Sequence, residues 1–400
     1  MGNLPDAGAV SNPGPLAGVR ILEIAGIGPV PFCGMLLADM GADILRVDRP
    51  DPGLRSDRDP RLDLMSRGRR SVAIDLKDPA GVGVVRSLAL RADVLLEGFR
   101  PGVMERLGLG PEPLLESNLR LVYGRMTGWG QQGPLAARAG HDLNYIALSG
   151  ALHAMGSADS KPPVPLNVIG DFGGGGMYLA FGVMCALFSA QRSGRGQVVD
   201  AAMVDGALSL MTMFFGMRAM GLWQDARGTN FLDGAAPFYD TYATAGGGFV
   251  AIGVVEPEFW AQLLRRVGLG DIDPARQRDR STWVETRRRL GARFLEKSRD
   301  EWTALLEGFD TCFSPVLSLA ELASHPHHVA RQALVEAFGV VQPAPAPRLS
   351  GTPARLDRAP PRPGEHTREA LLDWGIPGAE VDRLEAERRI GWRGPAWPAD

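Results

Sequence analysis

The sequence predicts an α/β protein, with a large Rossmann-like domain and a smaller α+β domain, on three observations. Short β-rich runs recur through the first half between segments of helical length, the rhythm of a parallel, doubly wound sheet. Composition shifts at a Gly-rich, aromatic stretch from Phe231 to Tyr242, beyond which strand-like and helix-like runs mix. The chain is 400 residues long with 45% hydrophobic content, a length that suggests two domains rather than one.

In chain order, MGNLPDAGAVSNPGPL has no basic start followed by an apolar stretch, so residues 1–14 read as a flexible polar arm rather than a signal peptide. A β-rich run at Val19 to Ile24, a helical run from Pro31 to Met40 and a second β-rich run at Asp43 to Val47 form one βαβ unit. Further strand-like runs follow at Ser71 to Ile74, Val94 to Glu97 and Leu121 to Arg125. A long helix is predicted from Met177 to Gln191, and SGRGQVVDAAMVDGALSL reads as a turn and an apolar helix. The large domain is thus placed at 15–230 and the small domain with its connectors at 231–330. Residues 331–400 return to complete the large domain: QPAPAPRLSGTPARLDRAPPRPGEHT runs extended, and a helical stretch follows from Thr367 to about Ile390.

The formal net charge of -3 gives no bulk attraction to nucleic acid or to an anionic membrane, so any basic site must be a local cluster. Cys33, Cys185 and Cys312 are odd in number and far apart, which argues against a disulfide framework and fits a reducing cytoplasm. Cys33 and Cys185 lie among apolar residues and read as buried structural thiols. The most apolar helical run, Met177 to Ala190, is about fourteen residues, short of the roughly 20 that a membrane span needs.

Several motifs fail on inspection. Gly26 and Gly28 after the first strand, with Asp48 further on, suggest a dinucleotide site. The third glycine comes only at Gly34, and Pro29 and Pro31 sit where the phosphate-binding helix should begin. His325, His327 and His328 are interrupted by Pro326 and have no Cys or Glu at ligand spacing, so no metal is expected. No G-x-S-x-G elbow, P-loop or H-E-x-x-H is present.

Three segments remain. In MTGWGQQGPLAARAGHDLNY, glycines and polar residues surround His141 after a strand end, where open α/β sheets bind ligands. In GDFGGGGMYLAFG, Asp171 stands just before four consecutive glycines and an apolar helix. Asp171 as a helix cap is one reading, but four glycines exceed what capping needs, and close approach of the backbone to a ligand explains them better. In GGGFVAIGVVEPEFW, Glu256 ends a β-rich run, and Pro257 opens a helix; by itself Glu256 could simply favour the helix dipole.

The segments RILEIAGIGP, GADILRVDRP, AIDLK, GFRPGVMERLGLG, RMTGWGQQGP, AGHDLNY, GDFGGGG, GQVVDAAMVDG and VEPEFW together resemble the α-methylacyl-CoA racemase branch of the family that also holds the class III CoA transferases. The likeness runs from about Pro15 to near Ser350. It implies that His141, Asp171 and Glu256 are catalytic, with no metal and no redox cofactor, since coenzyme A is part of the thioester substrate. It places CoA contacts on Arg49, on the strand end Ile74, Asp75, Leu76 and Lys77, on Gly98, Phe99 and Arg100, on Arg106, and on the backbone of Gly140, Asp142, Leu143, Asn144 and Tyr145 around His141. Arginine forks suit the phosphates of CoA. The resemblance also implies an interlocked homodimer, with Glu256 brought to His141 across the subunit interface, and a place in fatty acid (lipid) metabolism.

Those residue types suit the chemistry. A thioester acidifies C2 only modestly, so inversion needs a base on one face, an acid on the other and stabilisation of the enolate oxygen. His141 supported by Glu256 would serve one face and Asp171 the other, and amides at the helix start after Gly176 are candidates for holding the enolate. A helix N-terminus favours ionised Asp171 whereas an acid must hold its proton, a tension that burial can offset. The alternatives are a class III CoA transferase with Asp171 as covalent nucleophile, and a non-catalytic acyl-CoA-binding protein.

Overall fold

The computed structural model describes residues 14–51 and 59–394, so the predicted arm at 1–14 lies outside the described residues apart from Gly14. The strands are β1 (Arg20–Ile24), β2 (Asp43–Asp48), β3 (Arg69–Ala73), β4 (Val94–Glu97), β5 (Val122–Thr127), β6 (Val198–Ala202), β7 (Tyr239–Ala243), β8 (Phe249–Gly253), β9 (Phe313–Pro315), β10 (Leu334–Ala337) and β11 (Val340–Pro343). Helices α1 (Pro29–Asp39), α2 (Pro79–Ala89), α3 (Val103–Arg106), α4 (Pro111–Ser117), α5 (Asp142–Leu148) and α6 (Ala151–Ala154) precede a π-helix, Val168–Met177. After it come α7 (Tyr178–Ser193), α8 (Met203–Leu210), α9 (Thr212–Ala219), α10 (Pro257–Arg266), α11 (Trp283–Phe294), α12 (Arg299–Leu306), α13 (Pro326–Arg331), α14 (Thr367–Asp373) and α15 (Gly378–Ala386).

The chain divides into two units, the first made of residues 1–146, 166–210 and 332–400 and the second of 147–165 and 211–331. The second unit therefore takes in 147–165 and 211–230, both placed in the large domain from sequence. These segments hold each other: Arg227 donates to the carbonyls of Ser157 and Ser160, and Gly228 lies against the backbone of Ser157 and Ala158.

The first unit is built on one six-stranded sheet in the order β3-β2-β1-β4-β5-β6, with every neighbour parallel. This is the doubly wound order in which strand succession reverses between β1 and β4, and all six C-terminal ends lie along one edge. Central strands are covered on both faces, which is why Ile21, Leu22, Ile24, Val94, Leu95 and Leu96 form nearly continuous apolar runs. One face packs under α2 and the returning helices α14 and α15, including Trp374, Leu371 and Val381; the other packs under α1 and α7. Strand β6, in a segment read as a turn, is exposed over its first half and carries Asp200, so it lacks the continuous apolar run of its buried neighbours.

Helix α1 starts two residues earlier than predicted, because Pro29 and Pro31 fall in its first turn, where missing amides leave no bond unmade. The C-terminal helical stretch is two helices, broken at Gly375 (φ 82°) and Pro377. The Pro-rich return is preceded by the β10–β11 hairpin, which turns at Phe338 (φ 56°) and Gly339 (φ 75°).

The glycine run is not a break before a helix. It lies within the π-helix, which continues into α7, so Val168–Ser193 is one helix of 26 residues. That helix is long and apolar enough, by length and composition, to cross a membrane, which corrects the fourteen-residue expectation. Its inner face, including Leu179, Val183, Ala186 and Leu187, is part of the sheet's core. A Cβ on Gly174 would lie 2.6 Å from the Ala207 amide of α8, and one on Gly176 would lie 2.7 Å from the Phe32 ring and 2.9 Å from the Pro29 carbonyl. A Cβ on Gly206 of α8 would overlap the Gly174 carbonyl. Close packing of α1 and α8 thus accounts for most of the glycines, rather than approach to a ligand.

Gly206→Ala is accordingly expected to lower stability by about 1–3 kcal/mol or more, through overpacking of backbone against backbone. Gly216→Ala in α9, where an added Cβ meets nothing within 4 Å, should be neutral or stabilising. Denaturant midpoints of the two variants check this.

In the second unit, β7, β8 and β9 form an antiparallel sheet in that order, packed with α10, α11 and α12. Its core is aromatic, with Phe238, Tyr242, Trp260, Phe294 and Trp302 all buried.

Candidate active site

The C-terminal edge of the parallel sheet gathers most of the residues singled out from sequence. Arg49 follows β2, Ile74 to Lys77 follow β3, and Gly98 to Arg100 follow β4 at the reversal of strand order. Arg49, Lys77, Arg100 and Arg106 are exposed. Ile74 is 1% exposed, and its amide donates to the Asp48 carbonyl, so its side chain belongs to the core. The Asp75 carboxylate accepts from the Lys77 amide and pairs with Arg393 at 3.1 Å. Leu76 and Phe99 pack against the apolar core.

The turn into α5 carries the second group. The His141 amide donates to Asn144 Oδ1 at 3.0 Å, and the Asn144 amide donates back to the His141 carbonyl at 2.8 Å, which holds the turn and leaves the His141 side chain exposed. Leu143 and Asn144 are also exposed. Tyr145 is buried edge-on against Trp129, with ring centroids 4.7 Å apart. Gly140 makes room for that ring, since a Cβ there would lie 2.8 Å from Tyr145 and 3.0 Å from Trp129. Burial, reinforced by the charge of Asp171, pushes the Tyr145 hydroxyl up to about 12, against the pull of Arg100.

Asp171 sits in the first turn of the π-helix, half-buried, with Asn167 donating to its Oδ2 at 3.1 Å. It is not the helix cap; that position belongs to Asn167. A Cβ on Gly28 would lie 3.4 Å from Asp171 Oδ2, so the turn after β1 borders this carboxylate although it fails as a dinucleotide motif. Burial holds the Asp171 carboxyl above the usual carboxylate range. The Asn167 bond opposes the shift, the charge of Asp142 adds to it, and His141 opposes it. The sequence-level tension over its proton is therefore resolved upward. The helix start does not undo the effect of burial, because the amides of Gly170 and Asp171 are already taken by Asp142 Oδ2, at 2.6 and 2.7 Å. Gly176, continuous with α7, does not open a helix, so the amides after it lack the free N-terminal donors expected for the enolate.

An exposed imidazole and a carboxyl of raised proton affinity, each within electrostatic reach of the other, are the two kinds of group that general acid–base catalysis uses. Sequence reasoning missed Asn167 and Glu97, and had Gly28 only as part of the failed dinucleotide motif. Glu97 ends β4, accepts from the Phe99 amide at 2.7 Å and faces Arg125 at 3.3 Å; burial pushes it up to about 7. The only sequence signal for it was an acid at the end of an otherwise apolar strand.

Glu256 lies in the second unit as the exposed residue before α10, with no capping bond from its side chain, and its charge raises the Cys312 thiol further after burial. Cys33 is fully buried, whereas Cys185, read as buried, is exposed. Among the described residues no group of three His, Cys, Asp or Glu side chains is placed to hold a metal ion.

Comparison with known proteins adds to this geometry. The α-methylacyl-CoA racemase of Mus musculus is 45% identical over 94% of this chain and 97% of its own length. The α-methylacyl-CoA racemase of Homo sapiens is 43% identical over the same shares. A crystal structure of a CaiB/BaiF family protein from Brucella suis superposes with a TM-score of 0.78 at 26% identity, covering 90% of this chain and all of that one. The profile of CoA-transferase family III matches residues 16–367, and the chain belongs to that family.

Proposed function

We propose that this chain is an isomerase, an α-methylacyl-CoA racemase that interconverts (2R)- and (2S)-2-methylacyl-CoA thioesters by removing and replacing the proton on C2. The observation that carries the mechanism is the pairing of His141 with a carboxyl, Asp171, whose proton affinity is raised by burial on the same unit. Identity of 45% along nearly the whole chain to a protein named for this reaction supports the substrate class.

In this reading the CoA phosphates and adenine engage Arg49, Lys77, Arg100 and Arg106 and the backbone at the strand ends, and the acyl thioester lies with C2 between His141 and Asp171. Neutral His141 removes the proton from one enantiomer while protonated Asp171 delivers one to the opposite face; the other enantiomer uses ionised Asp171 and protonated His141. The raised Asp171 helps both directions, since a carboxyl of higher proton affinity is the stronger base when ionised and still holds its proton at higher pH when it must act as acid. Glu256 orients the imidazole and stabilises its charged form, across the interface of a homodimer. No metal or redox cofactor enters the reaction, and the enzyme works in the cytoplasm on 2-methylacyl-CoA thioesters.

The test is incubation with one enantiomer of a 2-methylacyl-CoA and no other acid. Loss of optical purity to an even mixture, with the CoA thioester conserved, is the expected result. A thioester that keeps its configuration, yet loses CoA once a free carboxylic acid is added, would instead establish a transferase.

A further inference from the structure

Asp142, the residue after His141, is a carboxylate of the candidate site that no step of the proposed reaction uses. It is 4% exposed, so a thioester cannot reach its side chain, and its Oδ1 has no partner. Its Oδ2 accepts from the amides of Gly170 and Asp171, at 2.6 and 2.7 Å, two of the donors that the start of a helix leaves unpaired. The approach is built in: a Cβ on Gly170 would lie 2.6 Å from that same oxygen and 2.9 Å from the Asp142 carboxyl carbon. Gly170 is therefore glycine because the Asp142 carboxylate must pass over it.

We infer that Asp142 is a positioning residue: covalently next to His141 and hydrogen-bonded to the backbone of Asp171, its side chain is the strut that sets the two proton-handling groups against C2. The inference rests on the reading of His141 and Asp171 as acid and base. A displacement of about 1 Å at such a pair costs on the order of 10²-fold in rate. The strut also carries charge. The groups that bear on Asp171 are Asp142 and His141 from the turn and first residue of α5, with Asn167 bonded to it; Tyr145 responds to Asp171, and Arg100 acts on Tyr145. Removing the charge of Asp142 alone should lower the proton affinity of Asp171 and shift its limb of the pH profile toward acid.

The experiment measures kcat, KM and the pH profile of C2 proton exchange for Asp142→Ala, Asp142→Asn, Gly170→Ala and Asp171→Asn, each checked for folding by thermal melting. Asp142→Ala is expected to lower kcat about 10²-fold while KM stays within roughly threefold. Asp142→Asn, whose amide oxygen accepts the same two bonds, should recover most of that loss with the Asp171 limb moved to lower pH. Gly170→Ala, which displaces the carboxylate without removing it, should reproduce the kcat loss if Asp142→Ala does not fold. Wild-type kcat in folded Asp142→Ala overturns the inference, as does a rise in KM at unchanged kcat, the mark of a CoA contact. Wild-type exchange in Asp171→Asn overturns the acid–base reading itself; abolished exchange in Asp171→Asn beside normal Asp142→Ala overturns only the strut.

Discussion

Asp171→Asn is expected to lower kcat for C2 proton exchange by about 10³-fold, within the 10²- to 10⁴-fold that a general acid or base contributes, while KM for the acyl-CoA changes little. Asparagine keeps the size of the side chain and the hydrogen bond available to Asn167, so the fold of the π-helix should survive. What it loses is the proton, and with it one face of the reaction. Both enantiomers should suffer, because one uses Asp171 as acid and the other as base. The pH dependence has a definite sign: burial holds the Asp171 carboxyl above the usual carboxylate range. The reaction that needs ionised Asp171 should therefore rise along a limb displaced upward from about 4, and the reaction that needs it protonated should persist to correspondingly higher pH. Stopped assays of each enantiomer across the pH range, with wild type and variant side by side, check both statements.

The second large effect is on stability. Glu23 in β1 and Arg69 in β3 are both 0% exposed and pair at 2.7 Å across the layer beneath α1. Arg69 spends its remaining donors on the carbonyls of Met65, Arg67 and Pro31, so it ties β3 to the first turn of α1 as well as to β1. Gly34 is what admits the pair, since a side chain there would overlap both the guanidinium and the Glu23 carboxylate. Arg69→Met strands an uncompensated carboxylate and three carbonyls in the core, and is expected to cost about 3–5 kcal/mol. A Glu23→Met/Arg69→Met double variant should be more stable than Arg69→Met alone, because the buried charge is then gone. Chemical denaturation followed by a probe in the first unit measures both.

Much of the fold could be read from the chain because parallel strands buried on two faces write themselves as apolar runs. The runs predicted at Val19 to Ile24, Asp43 to Val47 and Val94 to Glu97 coincide with β1, β2 and β4 to within a residue. Strand β6 was not legible, since its half-exposed edge position permits the polar, mixed sequence VVDAA. Nor was the π-helix: a glycine run has the same sequence signature whether it frees the backbone for a ligand or lets three helices touch. Only the overlaps with Phe32, Pro29 and Ala207 distinguish these.

The candidate site was legible in its residue types and in its place beyond the strand ends, which the sheet's topology dictates. Its electrostatics were not. That Asp171 would be raised could be weighed but not decided, because the answer depends first on its burial and then on Asn167 and Asp142, the latter 29 positions away in the chain. Asp142 itself is legible in the sequence only as one of the backbone CoA contacts that the resemblance implies around His141. Its role in the structure depends on Gly170, whose identity made sense in sequence only as part of a glycine-rich motif.

The central claim is that two different groups exchange protons with the two faces of C2. The direct test is a single enantiomer of a 2-methylacyl-CoA in D2O, with no free carboxylic acid, followed at early times for deuterium at C2 in both the inverted product and the recovered substrate. Transfer between His141 on one face and Asp171 on the other predicts label in the product ahead of label in the recovered substrate, and loss of the labelled product in His141→Ala and Asp171→Asn alike. Unlabelled C2 in every species, with CoA moving only when an acceptor acid is supplied, would contradict it.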